Sequence, residues 1–447
     1  MANRRRKIAR KAGASRHFLM SQTDSRRIGE VPAYGLERAR DALLTAFPDV
    51  LAGERLEQES LERLRDIHRF GVTVIRPDEM QAADASDQAG LGSGVLTQIA
   101  VCLEAACRRT GGIWGIEDTG MLAGYWPDRE AAECLELTRC LQDEIRIQTG
   151  CTATAGVAVY PTLDYPQPQI LANARKAVDH AAFLGPNSRV AFDAVSLNIS
   201  GDQSYDRGDL PSAIREFEHA LALDGSNVNV HNSLGVCHAV LGDYERALER
   251  FSAALRLDSG EYMAVYNIGM IHALGGRREA ALGFFLKANT LRDDVFEVLL
   301  QTGKLYLEMG QPQAARPFLE RAARLRIKSG NVYRLLGDCY GATGLPEKAI
   351  GAYKKAVKAN PGDSAALSEL GCLFDEKGEN PEIAMVFCKE SVRLAPDNPV
   401  FRRRLGGLYL KLNRLEEALE EFEQAERLGY DAADDLRQIR ERMAERN

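Results

Sequence analysis

A regular spacing of glycines constrains this chain more than any other feature of its sequence. Seven glycines recur through the C-terminal half at intervals of 34 residues, or 35 for the last interval: Gly201, Gly235, Gly269, Gly303, Gly337, Gly371 and Gly406. An alanine follows each of them at a nearly constant distance: Ala213, Ala247, Ala281, Ala315, Ala349, Ala384 and Ala418. Repeats of this length are typical of helix pairs that stack because one pair cannot bury its apolar face alone. The C-terminal half is therefore predicted to be an all-α solenoid.

One repeat unit, Val228–Glu261, shows why small and aromatic residues recur. Its pattern predicts a first helix that ends near Leu241 and a second helix over Tyr244–Leu257. Helical spacing places Gly235 on the face of the first helix that meets Phe251 on the second. The glycine lets the two helices approach closely, and the aromatic ring fills the space beside it.

The small, aromatic and turn positions of this unit resemble the tetratricopeptide repeat: Leu234-Gly235, Gly242-Asp243-Tyr244, Ala247, Phe251, Ala254 and Leu257-Asp258. The other six units keep most of this pattern, so the resemblance implies a superhelical array of seven repeats over residues 194–432. We expect the charged residues 433–447 to form a C-terminal capping helix. An extra residue near Asn380-Pro381 predicts a local distortion, and Asn413 replaces the turn glycine of the last unit.

Composition and charge limit the class of protein. A length of 447 residues is enough for two or three domains, and 45% apolar with 27% charged residues is ordinary for a soluble protein. A net charge of −7 argues against general nucleic-acid binding. The nine cysteines show no C-x-x-C pairing, so we expect reduced thiols in a cytoplasm and no zinc site. No apolar run approaches the length that crosses a membrane.

Residues 1–48 are expected to form a basic tail and a linker helix over Leu36–Ala46. The cations of Arg4–Lys7 are not followed by an apolar core, so we do not expect this segment to be a secretory signal. Such a cluster can contact an acidic partner, RNA or an anionic lipid surface. We favour a loose solubilising tail, because chain termini are usually poorly ordered.

Residues 49–193 alternate between strand and helix patterns. Helices are predicted over Glu54–His68, Gly92–Arg109, Arg129–Ile147 and Gln169–Leu184. Strands are predicted over Gly71–Ile75, Gly112–Ile116, Met121–Trp126, Thr152–Tyr160 and Ser188–Phe192. This alternation predicts an α+β domain built on one sheet.

Several short stretches of this region match the motifs of one family in order: Asp49–Gly53, Gly92–Leu96, Thr154–Ala158, Tyr160-Pro161, and Gly185 followed by Asn187 and Arg189-Val190. They resemble the GGDEF domain of bacterial diguanylate cyclases, which belongs with the nucleotide cyclases. The resemblance implies a cyclase-like sheet covered by helices. In that family, carboxylates hold Mg²⁺ against two nucleoside triphosphates, because metal charge stabilises phosphoryl transfer.

The positions that match the family's ligand-binding residues have changed chemistry. The first metal aspartate falls at Arg76, the signature hairpin at Asp118–Leu122, the aspartate of the last helix at Arg175, and a phosphate-binding lysine at Ala182. Cations there oppose a metal that needs several oxygen ligands. We therefore expect no enzyme activity, no catalytic residue, no metal and no cofactor. We interpret the nearby acids as solvated loop residues: Asp78, Asp84, Asp87, Glu117 and Asp118.

The first helices of a tetratricopeptide array line a concave face that binds peptides or helices of partner proteins. Counting from the repeat glycines places nine residues on this face: Asn232, Val236, Tyr266, Met270, Leu300, Lys304, Arg334, Asp338 and Arg403. Its central part is apolar, and charged residues flank this part toward Arg334 and Arg403. This pattern favours an amphipathic or extended peptide with an acidic end.

Two functional hypotheses remain open. In the first, the chain is a cytoplasmic adaptor in bacterial signalling, with the inactive GGDEF-like domain as a second interaction or dimerisation module. In the second, that domain binds a nucleotide or cyclic dinucleotide and the repeats relay its occupancy to a partner. The residues that would meet this ligand are Arg76, Asp78, Arg175 and Arg189.

Overall fold

The computed structural model describes residues 18–20, 33–78, 89–118, 120–378 and 381–446. The chain divides into two compact units, Met1–Ala264 and Val265–Asn447. Unit 1 contains a domain of mixed helices and strands followed by two helix pairs. Unit 2 contains further helix pairs, and the division falls within a helix.

The mixed domain of unit 1 runs from α1 to β6. Its helices are α1 (Ala33–Ala46), α2 (Glu54–Arg63), α3 (Ala89–Thr110), α4 (Ala131–Thr149) and α5 (Gln169–Leu184). Its strands are β1 (Leu51–Ala52), β2 (Phe70–Pro77), β3 (Ile113–Asp118), β4 (Met121–Pro127), β5 (Ala153–Tyr160) and β6 (Arg189–Ala191). The predicted alternation of helices and strands is confirmed.

The strands form one mixed sheet in the order β1-β3-β4-β2-β5-β6. The central strand β2 is antiparallel to both β4 and β5, and β3 is antiparallel to β4. The outer strands β1 and β6 run parallel to β3 and β5. The series β2-α3-β3-β4-α4-β5 follows the β-α-β-β-α-β order of a split unit, in which both helices cross over the sheet.

Helices cover both faces of the sheet. A Cβ added to Gly71 of β2 would lie 2.2 Å from the Sγ atom of Cys134 in α4. A Cβ added to Gly156 of β5 would lie 2.2 Å from the carbonyl oxygen of Ala174 in α5. Because Gly156 pairs with Val74, three residues along β2 from Gly71, the two glycines point to opposite faces. The domain therefore has an α4 face and an α5 face.

Two helix pairs follow in unit 1: α6 (Ala194–Asp206), α7 (Leu210–Leu223), α8 (Val228–Leu241) and α9 (Tyr244–Leu257). Each helix begins after an Asp or Asn whose side chain accepts a hydrogen bond from the backbone N–H three residues on: Asp193, Asp209, Asn227 and Asp243. Such caps satisfy backbone donors that the first helical turn leaves unpaired. The predicted bounds of α8 and α9 are confirmed.

Polar contacts fasten the first helix pair to the mixed domain. The Lys176 ammonium on α5 lies 2.8 Å from both carboxylate oxygens of Glu216 on α7. The Gln203 amide on α6 donates to the Asp179 carboxylate on α5 at 3.4 Å. Within unit 1, the last helix of the sheet domain and the first repeat therefore share an interface.

Helix α10 (Tyr262–Leu274) spans the division between the units, and further helices follow in unit 2: α11 (Arg278–Leu291), α12 (Phe296–Glu308), α13 (Pro312–Leu325), α14 (Gly330–Ala342), α15 (Pro346–Ala359), α16 (Ser364–Glu376), α17 (Pro381–Leu394), α18 (Pro399–Lys411), α19 (Leu415–Arg427) and α20 (Ala433–Arg446). Helix α20 lies where the sequence predicted a C-terminal capping helix.

The repeated glycines are sites of close helix approach. A Cβ on Gly269 would lie 2.8 Å from the ring of Phe285, and one on Gly337 would lie 2.4 Å from the ring of Tyr353. The sixth unit places the sulfur of Cys388 at this position, 2.3 Å from a Cβ added to Gly371. Only glycine fits against such partners without displacement, which explains the period seen in the sequence.

The turns within the pairs use the left-handed backbone conformation. Gly242 has a φ of 86°, and Asn413 has a φ of 56° where the last unit lacks the turn glycine. Asparagine adopts this conformation more readily than other residues with a Cβ. The predicted replacement is therefore compatible with the turn.

Some predicted bounds differ from the structure. The short strand β1 was missed, because two residues give no measurable alternation. Helix α2 ends at Arg63 rather than His68, since the chain turns over Leu64–Asp66. The distortion expected near Asn380-Pro381 falls on residues 379–380, outside the described residues. Among the helices that the structure describes, none combines the length and apolar character needed to cross a bilayer.

Candidate functional site

The first helix of the second pair, α8, carries the first two residues of the predicted partner-binding face. Asn232 and Val236 lie one helical turn apart, and neither side chain is exposed. The Asn232 side-chain amide donates a hydrogen bond to the backbone carbonyl of Leu19 at 3.0 Å. A segment from the start of the chain therefore lies against this face.

The segment is residues 18–20, which form neither helix nor strand. The Phe18 side chain is 7% exposed, and Leu19 and Met20 are half-buried. The prediction of a loose tail is wrong for these residues, because a buried aromatic side chain and a backbone hydrogen bond hold them. The basic cluster Arg4–Lys7 lies outside the described residues.

Helix α8 is buried around its whole circumference. Every residue from Val230 to Val240 is buried, whereas its partner α9 buries a single stripe. A helix that lines an open groove keeps one face in water. The burial of α8 thus agrees with a covered inner face in unit 1.

Sequence reasoning missed two residues on α6. Asn198 and Asp202 lie 34 residues before Asn232 and Val236, at the same repeat positions. The Oδ1 atom of Asn198 is buried and meets no hydrogen-bond donor among the residues that the structure describes. Counting back one more repeat from Asn232 would have found both positions.

In unit 2, the apolar residues of the predicted face act largely in packing. Tyr266 on α10 is fully buried, and its ring lies 5.4 Å from that of Phe285 on α11. Burial raises the pKa of the Tyr266 hydroxyl. Met270 is also buried, whereas Leu300 on α12 is half-buried. Of these three side chains, Leu300 is the one that a partner can reach directly.

The charged residues of the predicted face are partly neutralised within unit 2. Lys304 is half-exposed and lies 3.6 Å from Glu308 on the same helix. Arg334 lies 3.1 Å from Asp338 and 3.7 Å from Asp363. A basic end that selects acidic peptides is therefore weaker than the sequence indicated.

Asp338 and Arg403 are similarly engaged. Asp338 accepts a hydrogen bond from the Tyr353 hydroxyl at 2.8 Å, and burial raises the pKa of its carboxyl group. Arg403 lies 3.8 Å from Asp435 of α20 and 5.7 Å from the centre of the Tyr430 ring. Arg403 nevertheless remains half-exposed, so its guanidinium can still meet a ligand.

Two of the predicted nucleotide-binding residues, Arg76 and Arg175, both lie near Asp179 of α5, whereas Arg189 lies on the other face of the sheet. Arg76, at the end of β2, lies 4.0 Å from Asp179 of α5, and burial raises the pKa of Asp179. Asp78 accepts hydrogen bonds from the Thr154 hydroxyl and from the backbone N–H of Asn187, the latter at 2.7 Å. Asp78 thereby joins the end of β2 to the turn before β6.

Arg175 on α5 forms ion pairs with two acidic residues of the β3-β4 hairpin. Its guanidinium lies 3.2 Å from Glu117 and 3.1 Å from Asp118, the residues beside the predicted signature. Burial raises the pKa of Glu117, whereas the charge of Arg175 partly offsets that effect. Arg189 lies on the opposite, α4 face, where it donates to Gln142 at 3.0 Å.

The described chain also contains a cleft and two buried histidines on α8. A cleft of about 680 Å³ between α3 and α4 is lined by none of the predicted residues. No group of three or more His, Cys, Asp or Glu side chains suited to a metal ion occurs within the described residues. His231 and His238 on α8 are buried, and burial lowers the pKa of both.

Comparison with known families bears on the helix pairs. Residues 201–262, 239–294 and 300–364 match a sequence model of the tetratricopeptide repeat, and residues 404–428 match a second model of it. These segments are therefore tetratricopeptide repeats, as their resemblance predicted. The matched residues lie outside the mixed domain, so its GGDEF resemblance remains a prediction.

Several solved structures resemble parts of this chain at low sequence identity. PilF from Pseudomonas aeruginosa is 21% identical, with a TM-score of 0.43 over 47% of this chain and 95% of that chain. YrrB, a tetratricopeptide repeat protein with an unusual peptide-binding site, is 22% identical, with a TM-score of 0.39 over 41% of this chain and 95% of that chain. A repeat protein from Parabacteroides merdae is 18% identical, with a TM-score of 0.38 over 55% and 96%. No protein with a curated description matches this sequence significantly.

Proposed function

We propose that this chain is a non-enzymatic adaptor whose repeats bind peptide segments of a partner protein. Tetratricopeptide repeat proteins generally mediate protein–protein interactions. One observation carries the proposal for this chain: the Asn232 amide on α8 holds the backbone carbonyl of a short irregular segment. A side-chain amide that pairs with a peptide backbone is a means of binding extended peptides, and pockets for their side chains then give specificity.

Unit 2 offers a second surface for the same role. Leu300 and Lys304 lie one turn apart on α12, the first half-buried and the second half-exposed. An apolar side chain beside a half-exposed cation fits a peptide that carries an apolar residue and an acidic one. Arg403, also half-exposed, supplies a further cation within unit 2.

A random peptide library selected on the full chain tests the adaptor role. We expect peptides that bind saturably, and we expect Leu300→Arg or Lys304→Glu to weaken at least some of them by about tenfold, the scale of one lost contact of about 1.4 kcal/mol. Lys287→Glu, on the second helix α11 and exposed, is the matched control. If no peptide binds saturably, or if substitutions on the first helices never affect binding, the adaptor role is rejected.

We further propose that the mixed domain is an inactive relative of the GGDEF domain, acting as an interaction or dimerisation module in bacterial cytoplasmic signalling. The β-α-β-β-α-β order with β2 at the centre supports this proposal, as do the motifs in the sequence. Arg76 and Arg175 stand where metal-binding acids would be required, and both face carboxylates of the chain itself. Incubation with GTP and Mg²⁺ should therefore give no cyclic dinucleotide, and a product peak would contradict inactivity.

Nucleotide sensing is the second candidate, and one contact favours it. Asp179 contacts both Arg76 of the sheet and Gln203 of the first repeat. A phosphate that drew Arg76 away would therefore change the contact between Asp179 and Gln203 on α6. A ligand at about a hundred times its dissociation constant adds about 2.7 kcal/mol to stability. A rise in the melting temperature of the full chain with GTP or cyclic di-GMP would support sensing, and no rise at millimolar ligand would exclude it.

A further inference from the structure

Residues 18–20 have the features of a bound ligand rather than of a structural element. The Leu19 carbonyl accepts a hydrogen bond from the Asn232 amide, which lies 213 positions later in the sequence. Residues 18–20 belong to no helix or strand. The Phe18 ring is buried at 7% exposure. One backbone hydrogen bond beside one buried aromatic anchor is how peptide grooves hold short motifs.

The α8 face that contacts residues 18–20 carries a buried hydrogen-bond donor, the side-chain amide of Asn232. Asn232 is fully buried, and a buried N–H group that loses its hydrogen-bond acceptor is destabilising. A departing segment must therefore be replaced by water or by another carbonyl. A second peptide with a backbone carbonyl at the same place meets this need fully.

The same face extends by one repeat toward the N-terminus. Asn198 on α6 occupies the position of Asn232, and its buried Oδ1 atom meets no donor within the described residues. A longer peptide backbone along α6 and α8 has an N–H group to offer at that point.

We propose that residues 18–20 are an internal ligand of the α6–α8 face, and that a partner peptide of the same chemistry displaces them. That chemistry is an aromatic residue followed by an aliphatic residue whose backbone carbonyl pairs with Asn232. The inference rests on the proposed adaptor function. A tethered segment competes strongly, because the linker keeps its effective concentration high.

Competition has a measurable consequence for affinity. When the internal segment covers the face for nine-tenths of the time, the dissociation constant of an added peptide rises about tenfold. Releasing the segment lowers the dissociation constant of the added peptide again by the same factor of about ten, although the peptide makes no new contact.

A fluorescent peptide with the sequence of residues 14–24 tests the proposal on the full chain. We expect Phe18→Asp, which cannot bury its charge, to bind the added peptide at least about tenfold more tightly than the unchanged chain. Adding Asn232→Ala to Phe18→Asp should then weaken binding again. Ile147→Asp is the control, because Ile147 is 80% exposed on α4. A peptide that itself carries Asp in place of Phe18 should not bind.

Hydrogen exchange on the unchanged chain is a second test, and its result does not depend on whether a variant folds. Excess unlabelled peptide should speed exchange at residues 18–20, because those amides leave the face. Equal peptide affinity for Phe18→Asp and the unchanged chain, or exchange unaffected by a bound peptide, overturns the internal ligand. If the peptide of residues 14–24 binds nothing while selected peptides still bind through Leu300 and Lys304, this inference fails and the adaptor role stands.

Discussion

Gly235 and Phe251 lie so close that a Cβ added to the glycine would be 2.5 Å from Cε1 of the ring. The ring is fully buried between α8 and α9 and has no room to move away. The same contact recurs between Gly201 and Phe217, at 2.4 Å. Close approach at this position therefore holds each pair together.

Gly235→Ala should destabilise the chain despite the better helix propensity of alanine. Overpacking of a filled interior costs about 1–3 kcal/mol, which exceeds the propensity gain of about 1 kcal/mol. Urea denaturation followed by circular dichroism measures the change. Gly283→Ala is the control, because a Cβ there meets no atom within 4 Å and the residue lies within α11. A Gly235→Ala chain as stable as that control would contradict the packing account.

Arg175→Ala should destabilise the mixed domain. Glu117 is nearly buried and would lose its cation, and a hydrogen bond to a charged group contributes about 1.5–3 kcal/mol. Since burial already raises the pKa of Glu117, the loss of Arg175 should raise it further. The deficit in stability should then shrink as pH falls and Glu117 takes up a proton. Arg129→Ala, at an exposed pair with Glu133, should change stability much less than Arg175→Ala at any pH.

His238 should make stability fall in mild acid. Burial lowers its pKa below the ordinary value of 6.5, so the unfolded chain takes up the proton first. The stability that neutral His238 contributes is present above pH 6.5 and is lost as pH falls toward its pKa in the folded chain. His238→Gln should therefore lose less stability than the unchanged chain between pH 7.5 and pH 5.5. Thermal melts at both pH values measure the two losses of stability. If the variant and the unchanged chain lose the same stability, His238 does not titrate in this way.

The contact between Lys176 and Glu216 should couple the mixed domain to the first repeat. Both side chains are about four-fifths buried, and the ammonium reaches both carboxylate oxygens. Close polar pairs give coupling energies of about 0.5–3 kcal/mol in double-mutant cycles. A cycle of Lys176→Met and Glu216→Gln measures this coupling by urea denaturation. The exposed pair Arg139 and Glu136 gives the reference for a pair within one helix, and coupling no larger than that reference would mean that the interface lies elsewhere.

The repeat architecture could be predicted from the sequence because its period is enforced by sterics. The glycine of the contact between Gly235 and Phe251 recurs in all seven units, although Leu319 and Cys388 replace the aromatic ring in two of them. Strand β1 could not be predicted, since two residues carry no pattern. The docking of Phe18 could not be predicted either, because a contact between residues so distant in sequence has no local signature.

The candidate site was predicted only in outline. Counting from the glycines placed Asn232 and Leu300 on first helices, but periodicity does not reveal what covers them. The charges of Arg334 and Arg403 were visible, whereas their partners come from later parts of the chain: Asp363, the residue before α16, and Asp435 on α20. Neutralisation by tertiary contacts is thus the feature that a linear pattern cannot supply.

Photo-crosslinking tests the central claim most directly. A selected peptide that carries a photoreactive side chain is bound to the full chain, irradiated, and located by mass spectrometry. The account predicts crosslinks on first helices, at α8 near Asn232 or at α12 near Leu300. Crosslinks confined to second helices such as α9 and α11, or to the mixed domain, would contradict it.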